Sequence, residues 1–364
     1  MTRKQILMLN YEYPPLGGGA ANANKYLLDE FADQDDIVID LVTSSQGEYQ
    51  ERSIAENITL YRLNVNKNAI HYWTQAEILR YSWKAYQKSR ELIRHTNYDL
   101  VHAWFGVPSG IIANLLGIPY IVALRGSDVP GYNERFSWQY VVLKPLIRKV
   151  WQDAESVIAN SQGLRELALE TSDVLIDVIP NGVSVDEFNP EYHNRDTLHI
   201  LCVSRLIERK GVDDLIKAVD DLDVKLTIVG DGEQAEALQD LAVDLGIEER
   251  ITFTGYIPHD EINEYYETAD LFVLPSKNEG MSNTVLEAMA AGLPIITTNT
   301  GGTEELIHGN GMVVPPEDPD AISEAISRYD KESIRAAGNE SRQIVEKMSW
   351  GKVADRYKAK YREI

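Results

Sequence analysis

The sequence predicts an α/β protein built from two doubly wound parallel-sheet domains, and three observations point there. The chain has 364 residues, more than one hydrophobic core usually serves, and roughly 150 residues per domain suggests two. Short apolar runs alternate with longer amphipathic stretches, as in βαβ units. Residues 180–197 (PNGVSVDEFNPEYHNRDT) are rich in Pro, Asn, Asp and Gly and carry no period, which marks a boundary between two halves.

In the N-terminal half the strand-like runs fall at 5–9, 37–42, 100–102, 120–123, 156–159 and 174–179. Each is short and aliphatic, as strands covered on both faces are. A glycine loop at 17–19 follows the first run, and a helix is expected from about Asn22. Residues 70–97 and 135–151 read as helices. After the break the runs resume at 198–203, 225–229, 251–254, 271–273 and 294–297, with helical periods at 212–219, 233–245 and 260–268 between them. A further helix is expected near Asn283. The domains are accordingly placed at 1–180 and 195–348.

Composition narrows the class. With 44% hydrophobic and 25% charged residues the chain resembles an ordinary globular enzyme. Its net charge is −22, from 35 basic and 57 acidic side chains. That argues against binding a nucleic-acid backbone through overall charge. Residues 1–179 carry −4 and residues 180–364 carry −18. The single cysteine, Cys202, cannot form an internal disulfide or a multi-cysteine zinc site, and its place in an apolar run suggests a buried thiol. No signal peptide is evident. The longest apolar stretch, 111–124, is interrupted by Asn114, Gly117 and Pro119 and falls short of the ~20 residues of a membrane span. A cytoplasmic protein is expected, with the inner membrane face as an open variant.

Two glycine loops are candidates for phosphate. Gly18 and Gly19, at the start of a helix, suit close approach by a ligand. The loop fails as a dinucleotide fingerprint, because Asn22 stands where a third small residue is wanted. Gly230-Asp231-Gly232 matches the fingerprint weakly, but Asp231 and Glu233 would repel a pyrophosphate. Gly232 therefore reads either as a ligand contact or as a tight turn.

The strongest constellation is Glu279-Gly280-Met281-Ser282-Asn283-Thr284-Val285-Leu286-Glu287. It sets a loop glutamate and a helix glutamate eight positions apart, on either side of a glycine and a helix N-terminus. An elongated ligand with hydroxyls at both ends and a diphosphate in the middle satisfies all three features. A nucleotide sugar has that layout.

Taken with Val203-Ser204-Arg205-Leu206-x-x-x-Lys210-Gly211 and Pro180-Asn181-Gly182-Val183-x-x-Asp186-x-Phe188, the glutamate pair resembles the retaining glycosyltransferases of family 4. The resemblance runs from the 17–19 loop to Ser349-Trp350. It implies the GT-B fold of two facing Rossmann-like domains, with a C-terminal helix from about 349 to 364 crossing back to the N-terminal domain. It also implies that Arg205 and Lys210 bind the donor diphosphate, that Glu279 orients the donor sugar, that Glu287 holds the ribose, and that backbone near Ile257 meets the base. Asn181 belongs to the matching boundary motif. Cations beside the phosphate, with backbone N–H groups from Gly280 to Thr284, would act as an electrostatic clamp. No metal and no cofactor is then required. The one tempting D-x-D, Asp221-x-Asp223, reads as solvated loop.

The acceptor half departs from the family pattern. Where many relatives carry His-Gly, this chain has Arg125-Gly126-Ser127-Asp128. Arg125 cannot serve as a base; it suits a phosphate or carboxylate, and Asp128 would orient or deprotonate an acceptor hydroxyl. The alternative is an Arg125–Asp128 pair across the turn. His102 reads either as a liner of the acceptor site or as a buried structural histidine. The aromatic and basic helices at 70–97 and 135–151 read first as ordinary core-packing helices. As the second reading they are surfaces for anionic lipid, giving weak peripheral membrane association of the N-terminal domain.

The expected function is metal-independent, retaining transfer of a sugar from a UDP-, GDP- or ADP-sugar to a saccharide or lipid-linked acceptor. A non-catalytic nucleotide-sugar-binding protein and, less favoured, a nicotinamide-dependent oxidoreductase are the alternatives.

Overall fold

The structure is a computed structural model and describes residues 3–70, 73–132, 137–193, 195–259 and 261–364. It divides into two units. One comprises Met1–Asn181 and Trp350–Ile364, the other Gly182–Ser349.

The first unit contains β1 (Lys4–Leu9), α1 (Gly19–Phe31), β2 (Ile37–Ser45), β3 (Gln50–Ala55), β4 (Ile58–Asn64), α2 (Gln75–Ile93), β5 (Leu100–Trp104), α3 (Ile111–Leu116), β6 (Tyr120–Leu124), α4 (Ser137–Gln152), β7 (Ser156–Ala159), α5 (Gln162–Leu169) and β8 (Ile176–Val178). The strands form one sheet in the order β3-β4-β2-β1-β5-β6-β7-β8. The pairings are parallel except β3 with β4. Helices cover the central strands on both faces, so β5 and β6 are buried along their whole length. β3, which the sequence did not suggest, is a polar segment with five exposed residues at the sheet edge. Its backbone pairing with β4 compensates for the missing apolar side.

Helix α2 starts in a capping box: Thr74 accepts from the Glu77 N–H, and Glu77 reaches back to the Thr74 N–H. The Glu77 carboxylate also pairs with buried Lys67 at 3.2 Å, and Lys67 lies 4.2 Å above the Trp73 ring. This ties the start of α2 to the end of β4. One side of α2 packs inward through Tyr81, whose hydroxyl donates to the Val42 carbonyl at 3.0 Å. The other side carries exposed Leu79 and Trp83. Of the expected helix at 135–151, residues 135 and 136 lie outside the described residues; the rest is α4.

The C-terminal helix (Trp350–Glu363) packs on the first unit through Trp350, Val353, Ala354, Tyr357 and Tyr361. Trp350 stacks on Tyr26 at 5.4 Å, and Lys358 pairs with Asp36 at 2.9 Å.

The second unit contains β9 (Leu198–Val203), α6 (Val212–Ala218), β10 (Val224–Val229), α7 (Ala235–Asp244), β11 (Ile251–Gly255), α8 (Asn263–Glu267), β12 (Leu271–Leu274), α9 (Asn283–Ala290), β13 (Ile295–Thr298), α10 (Thr303–Leu306), β14 (Gly311–Val314), α11 (Pro319–Ser327) and α12 (Lys331–Val345). Its strands run β11-β10-β9-β12-β13-β14, all parallel. Cys202 is buried in β9, and burial pushes its thiol up to about 12.

Apart from the β3–β4 hairpin at one edge, each sheet reverses its strand order once. In the first unit the reversal lies between β1 and β5, and in the second between β9 and β12. In open parallel sheets, ligands bind outside the carboxyl ends of strands at such a switch point. The loops after β1, β9 and β12, which carry the 17–19, 204–210 and 275–282 motifs, leave these strand ends.

Candidate active site

In the second unit, the chain leaving β9 turns through Ser204 and Arg205 into a short 3-10 turn, Glu208–Lys210. Arg205 is exposed and Lys210 is buried. From the neighbouring β12, the loop 275–282 brings Glu279 alongside, and Lys210 Nζ donates to Glu279 Oε1. Ser276 Oγ donates to the same oxygen at 3.1 Å. The loop is held from behind: Arg209 donates to the Asn278 carbonyl at 3.1 Å, and the Gly301 N–H donates to the Glu279 carbonyl at 3.0 Å. Burial would raise the Glu279 carboxyl, but Lys210 and Arg209 outweigh it and hold it below the usual range. Burial, with Arg209 and Arg205 near, pushes the Lys210 ammonium down.

The helix that follows, α9, begins after Ser282, whose side chain does not cap it; Ser282 Oγ instead meets Thr284 Oγ1 at 3.2 Å. Gly280 is buried, Asn283 and Thr284 are half-buried, and Met281 packs into the core of the unit. One turn into the helix, Glu287 Oε2 accepts the Tyr266 hydroxyl at 2.7 Å, and Oε1 lies 3.3 Å from His259 Nε2. Ile257, two residues before His259, is partly buried against the core, while Tyr256 is exposed. Gly232 has a packing reason: a Cβ there would lie 2.2 Å from the Leu206 carbonyl oxygen. That packing accounts for the glycine as a tight turn and leaves its backbone contact to a ligand as a proposal.

In the first unit the loop after β1 bends at Gly17, with φ +100°, where a Cβ would collide with Glu12 at 2.7 Å. Gly18 is half-buried with open space at its Cβ position, and Gly19 is exposed at the first position of α1.

Of the two readings of His102 the buried structural one holds, and the reading of Asp128 as a base for the acceptor needs correction. His102 does not line an open surface: it is fully buried in β5, and its Nδ1 shares a 2.7 Å hydrogen bond with the Tyr361 hydroxyl of the C-terminal helix. Burial, aided by Arg125, lowers its pKa well below the ordinary value of 6.5. Asp128 is likewise not poised as a base. It is 2% exposed, and its two oxygens accept the backbone N–H of Gly106 at 2.6 Å and of Arg125 at 2.9 Å. Its carboxylate staples the β6 loop to the chain leaving β5.

The Arg125 guanidinium does not reach across to Asp128. It lies 3.8 Å over the Trp104 ring and donates to Asn181 Oδ1 at 2.9 Å and to the Tyr357 hydroxyl at 3.2 Å. Arg125 and Asn181 are therefore joined, and both are tied to the C-terminal helix.

The sequence reading missed Ser276 and Arg209 behind Glu279, Tyr266 and His259 on Glu287, and Tyr357 and Tyr361 on Arg125 and His102. The tyrosines at 357 and 361 had a signal, since their four-residue spacing marks one helix face. Asp221 and Asp223 are exposed. Among the described residues, no group of three or more His, Cys, Asp or Glu side chains is arranged to hold a metal ion.

Comparison with known proteins adds the following. The family described as Glycosyltransferase Family 4 matches residues 17–187, and that described as Glycosyl transferases group 1 matches residues 185–347. TuaC of Bacillus subtilis, named as a glycosyltransferase of teichuronic acid biosynthesis, is 31% identical over 254 residues, which are 65% of this chain and 62% of that protein. A GDP-mannose-dependent alpha-(1-6)-phosphatidylinositol monomannoside mannosyltransferase of Mycolicibacterium smegmatis is 28% identical, over 79% of this chain and 86% of its own. Among solved structures, a sucrose-phosphate synthase from Thermosynechococcus elongatus superposes with a TM-score of 0.88 at 22% identity, covering 99% of each chain.

Proposed function

The chain belongs to the group 1, family 4 glycosyltransferases, and from that premise we propose that it moves a sugar from a nucleotide-diphosphate sugar to an acceptor hydroxyl, with retention and without a metal ion. The observation that carries this reading is the meeting of Lys210 and Glu279 at the carboxyl ends of β9 and β12, backed by Arg209. Lys210 has three N–H groups and spends one on Glu279, which leaves donors for a phosphate. Glu279 retains acceptor capacity for the hydroxyls of a sugar. Arg205 is exposed beside them.

The step is written on one face of the sugar. The bond from the anomeric carbon to the diphosphate oxygen breaks, and a bond to the acceptor oxygen forms from the same side. The acceptor proton passes to the departing phosphate oxygen. Lys210, Arg205 and the backbone N–H groups from Gly280 to Thr284 stabilise the charge that develops on the diphosphate. The burial of Asp128 and His102 supports a scheme in which no side chain of the first unit takes the proton.

The relative named for GDP-mannose supports a nucleotide sugar as donor; UDP-, GDP- and ADP-sugars are the candidates. A saccharide or a lipid-linked saccharide is the acceptor class. For the lipid-linked case, the supporting observation is α2, where Leu79 and Trp83 stand exposed one turn apart beside exposed Arg80, Lys84 and Arg90. Work at the cytoplasmic face of a membrane goes with that reading. No helix among the described residues is long and apolar enough to cross a membrane.

The oxidoreductase alternative is weakened by the Gly230–Gly232 turn, which packs on Leu206 and is flanked by exposed Asp231 and Glu233. The test is turnover of a panel of nucleotide sugars in a chelator. At least one donor should release its nucleoside diphosphate. Donor binding without release, in the presence of a wide set of saccharide acceptors, would favour a binding protein.

A further inference from the structure

The two donors on Glu287 come from different elements and differ in freedom. Tyr266, on α8, is fully buried, with its ring packed against Phe188 at 5.7 Å and Phe272 at 6.0 Å. Its hydroxyl is thus a fixed point for Oε2. His259 follows β11 and keeps 34% of its side chain exposed, with Nε2 3.3 Å from Oε1. A carboxylate held by one hydroxyl can still turn about that contact, whereas donors on both oxygens fix its plane. Each carboxylate oxygen accepts two hydrogen bonds, so Oε1 and Oε2 each keep capacity after these contacts. The vicinal hydroxyls of a ribose present two O–H donors that match it.

We propose that His259 is a positioning residue for nucleotide recognition, holding the Glu287 carboxylate in the plane that accepts a ribose diol. This rests on the reading of Glu287 as the ribose ligand. The ring has a second effect. A carboxylate near a bound diphosphate repels it, and an imidazolium in contact with that carboxylate offsets the repulsion.

The groups facing His259 are Glu287 on α9, Glu187 in the 3-10 turn Val185–Glu187, and Tyr266 across the shared carboxylate. The hydrogen bond to Glu287 raises the imidazole to about 9; burial opposes this, and the charges of Glu287 and Glu187 add to the rise. His259 is therefore an imidazolium at neutral pH, and its charge is lost as pH rises through about 9.

The experiment measures calorimetric affinity for UDP, GDP or ADP, whichever binds tightest, and for its 2′-deoxy counterpart. Wild type, His259→Ala, His259→Gln and Glu287→Gln are compared at pH 7 and pH 10. Wild type should prefer the ribonucleotide by about tenfold or more, the scale of a hydrogen bond to a charged group. His259→Ala should weaken ribonucleotide binding by about tenfold and the deoxy form by clearly less, through the diphosphate alone, so that the preference shrinks. His259→Gln, a neutral donor, should keep part of the preference and weaken less than wild type between pH 7 and pH 10, since Lys210 loses charge over that range in both proteins. The inference is overturned if His259→Ala keeps the full preference while Glu287→Gln loses it, or if His259→Ala binds more tightly because the ring competes with ribose. If Glu287→Gln also keeps the preference, the ribose reading of Glu287 itself falls.

Discussion

Lys210 and Glu279 are 69 positions apart and meet as a largely buried ion pair. Such a pair is costly to desolvate and costly to break, because removing one partner strands the other charge. Its place at a strand switch point suggests that the cost is kept for chemistry. If Lys210 neutralises a departing diphosphate, Lys210→Ala should lower donor turnover by about 10²–10³-fold, the usual loss for one preorganised donor. Glu279→Gln should fall comparably and also destabilise the second unit, as seen by its melting temperature. The placing of Glu279 and Glu287 on either side of one helix start was legible in the sequence, because spacing along a loop and helix carries it; the roles proposed for them and for Lys210 rest on the family resemblance. The roles of Asp128 and His102 were not legible. His102 lies in the middle of β5 and Asp128 in the loop after β6, and only burial and partners decide what each does. The partner of His102, Tyr361, is 259 positions away.

At the scale of elements, the C-terminal helix supplies the clearest consequence. It lays Tyr357 and Tyr361 over Arg125 and His102, whose rings and guanidinium also stack with Trp104. His102 is held neutral there, with its pKa well below 6.5 in the fold. The unfolded chain takes up a proton near 6.5, so stability is full above that pH and falls as pH drops below it. The slope is at most about 1.4 kcal/mol per pH unit from this one group. Between pH 7.5 and 5.5, wild type should therefore lose more melting temperature than His102→Phe; an equal loss would show that His102 does not carry the effect. Most strands of both sheets were readable from aliphatic runs, since parallel strands are buried on both faces; β4 and β14 fell outside those runs. β3 was not, because its sequence QERSIA is polar and its stability comes from backbone pairing with β4. α12 escaped for a related reason: it is a largely polar helix, started by a capping box at Asp330, with only Gly338, Ser341 and Val345 buried.

For the whole molecule, the charge is divided more sharply than a cut at residue 180 suggests. Counting the C-terminal helix with the unit it packs on leaves the first unit at −1 and the second at −21. Lys210, Arg205 and Arg209 are thus cations in a unit that is otherwise strongly acidic, where a dianionic diphosphate would be repelled without them. The near-neutral first unit presents the basic, Trp-bearing side of α2 without that repulsion. Vesicles containing phosphatidylglycerol should therefore retain the protein at low salt, whereas pure phosphatidylcholine should not, and Leu79→Ser with Trp83→Ser should abolish retention. Equal recovery in the supernatant with both vesicles would remove the lipid-surface reading and leave a free saccharide acceptor.

In the reaction proposed for this chain, its own cations stand in place of a metal ion. The direct measurement is release of nucleoside diphosphate from the preferred donor in excess EDTA, compared for wild type, Lys210→Ala and Glu279→Gln. EDTA should leave the wild-type rate unchanged, and both variants should lose about 10²–10³-fold. A rate that vanishes in EDTA and returns with a divalent cation, or that survives Lys210→Ala intact, would contradict this.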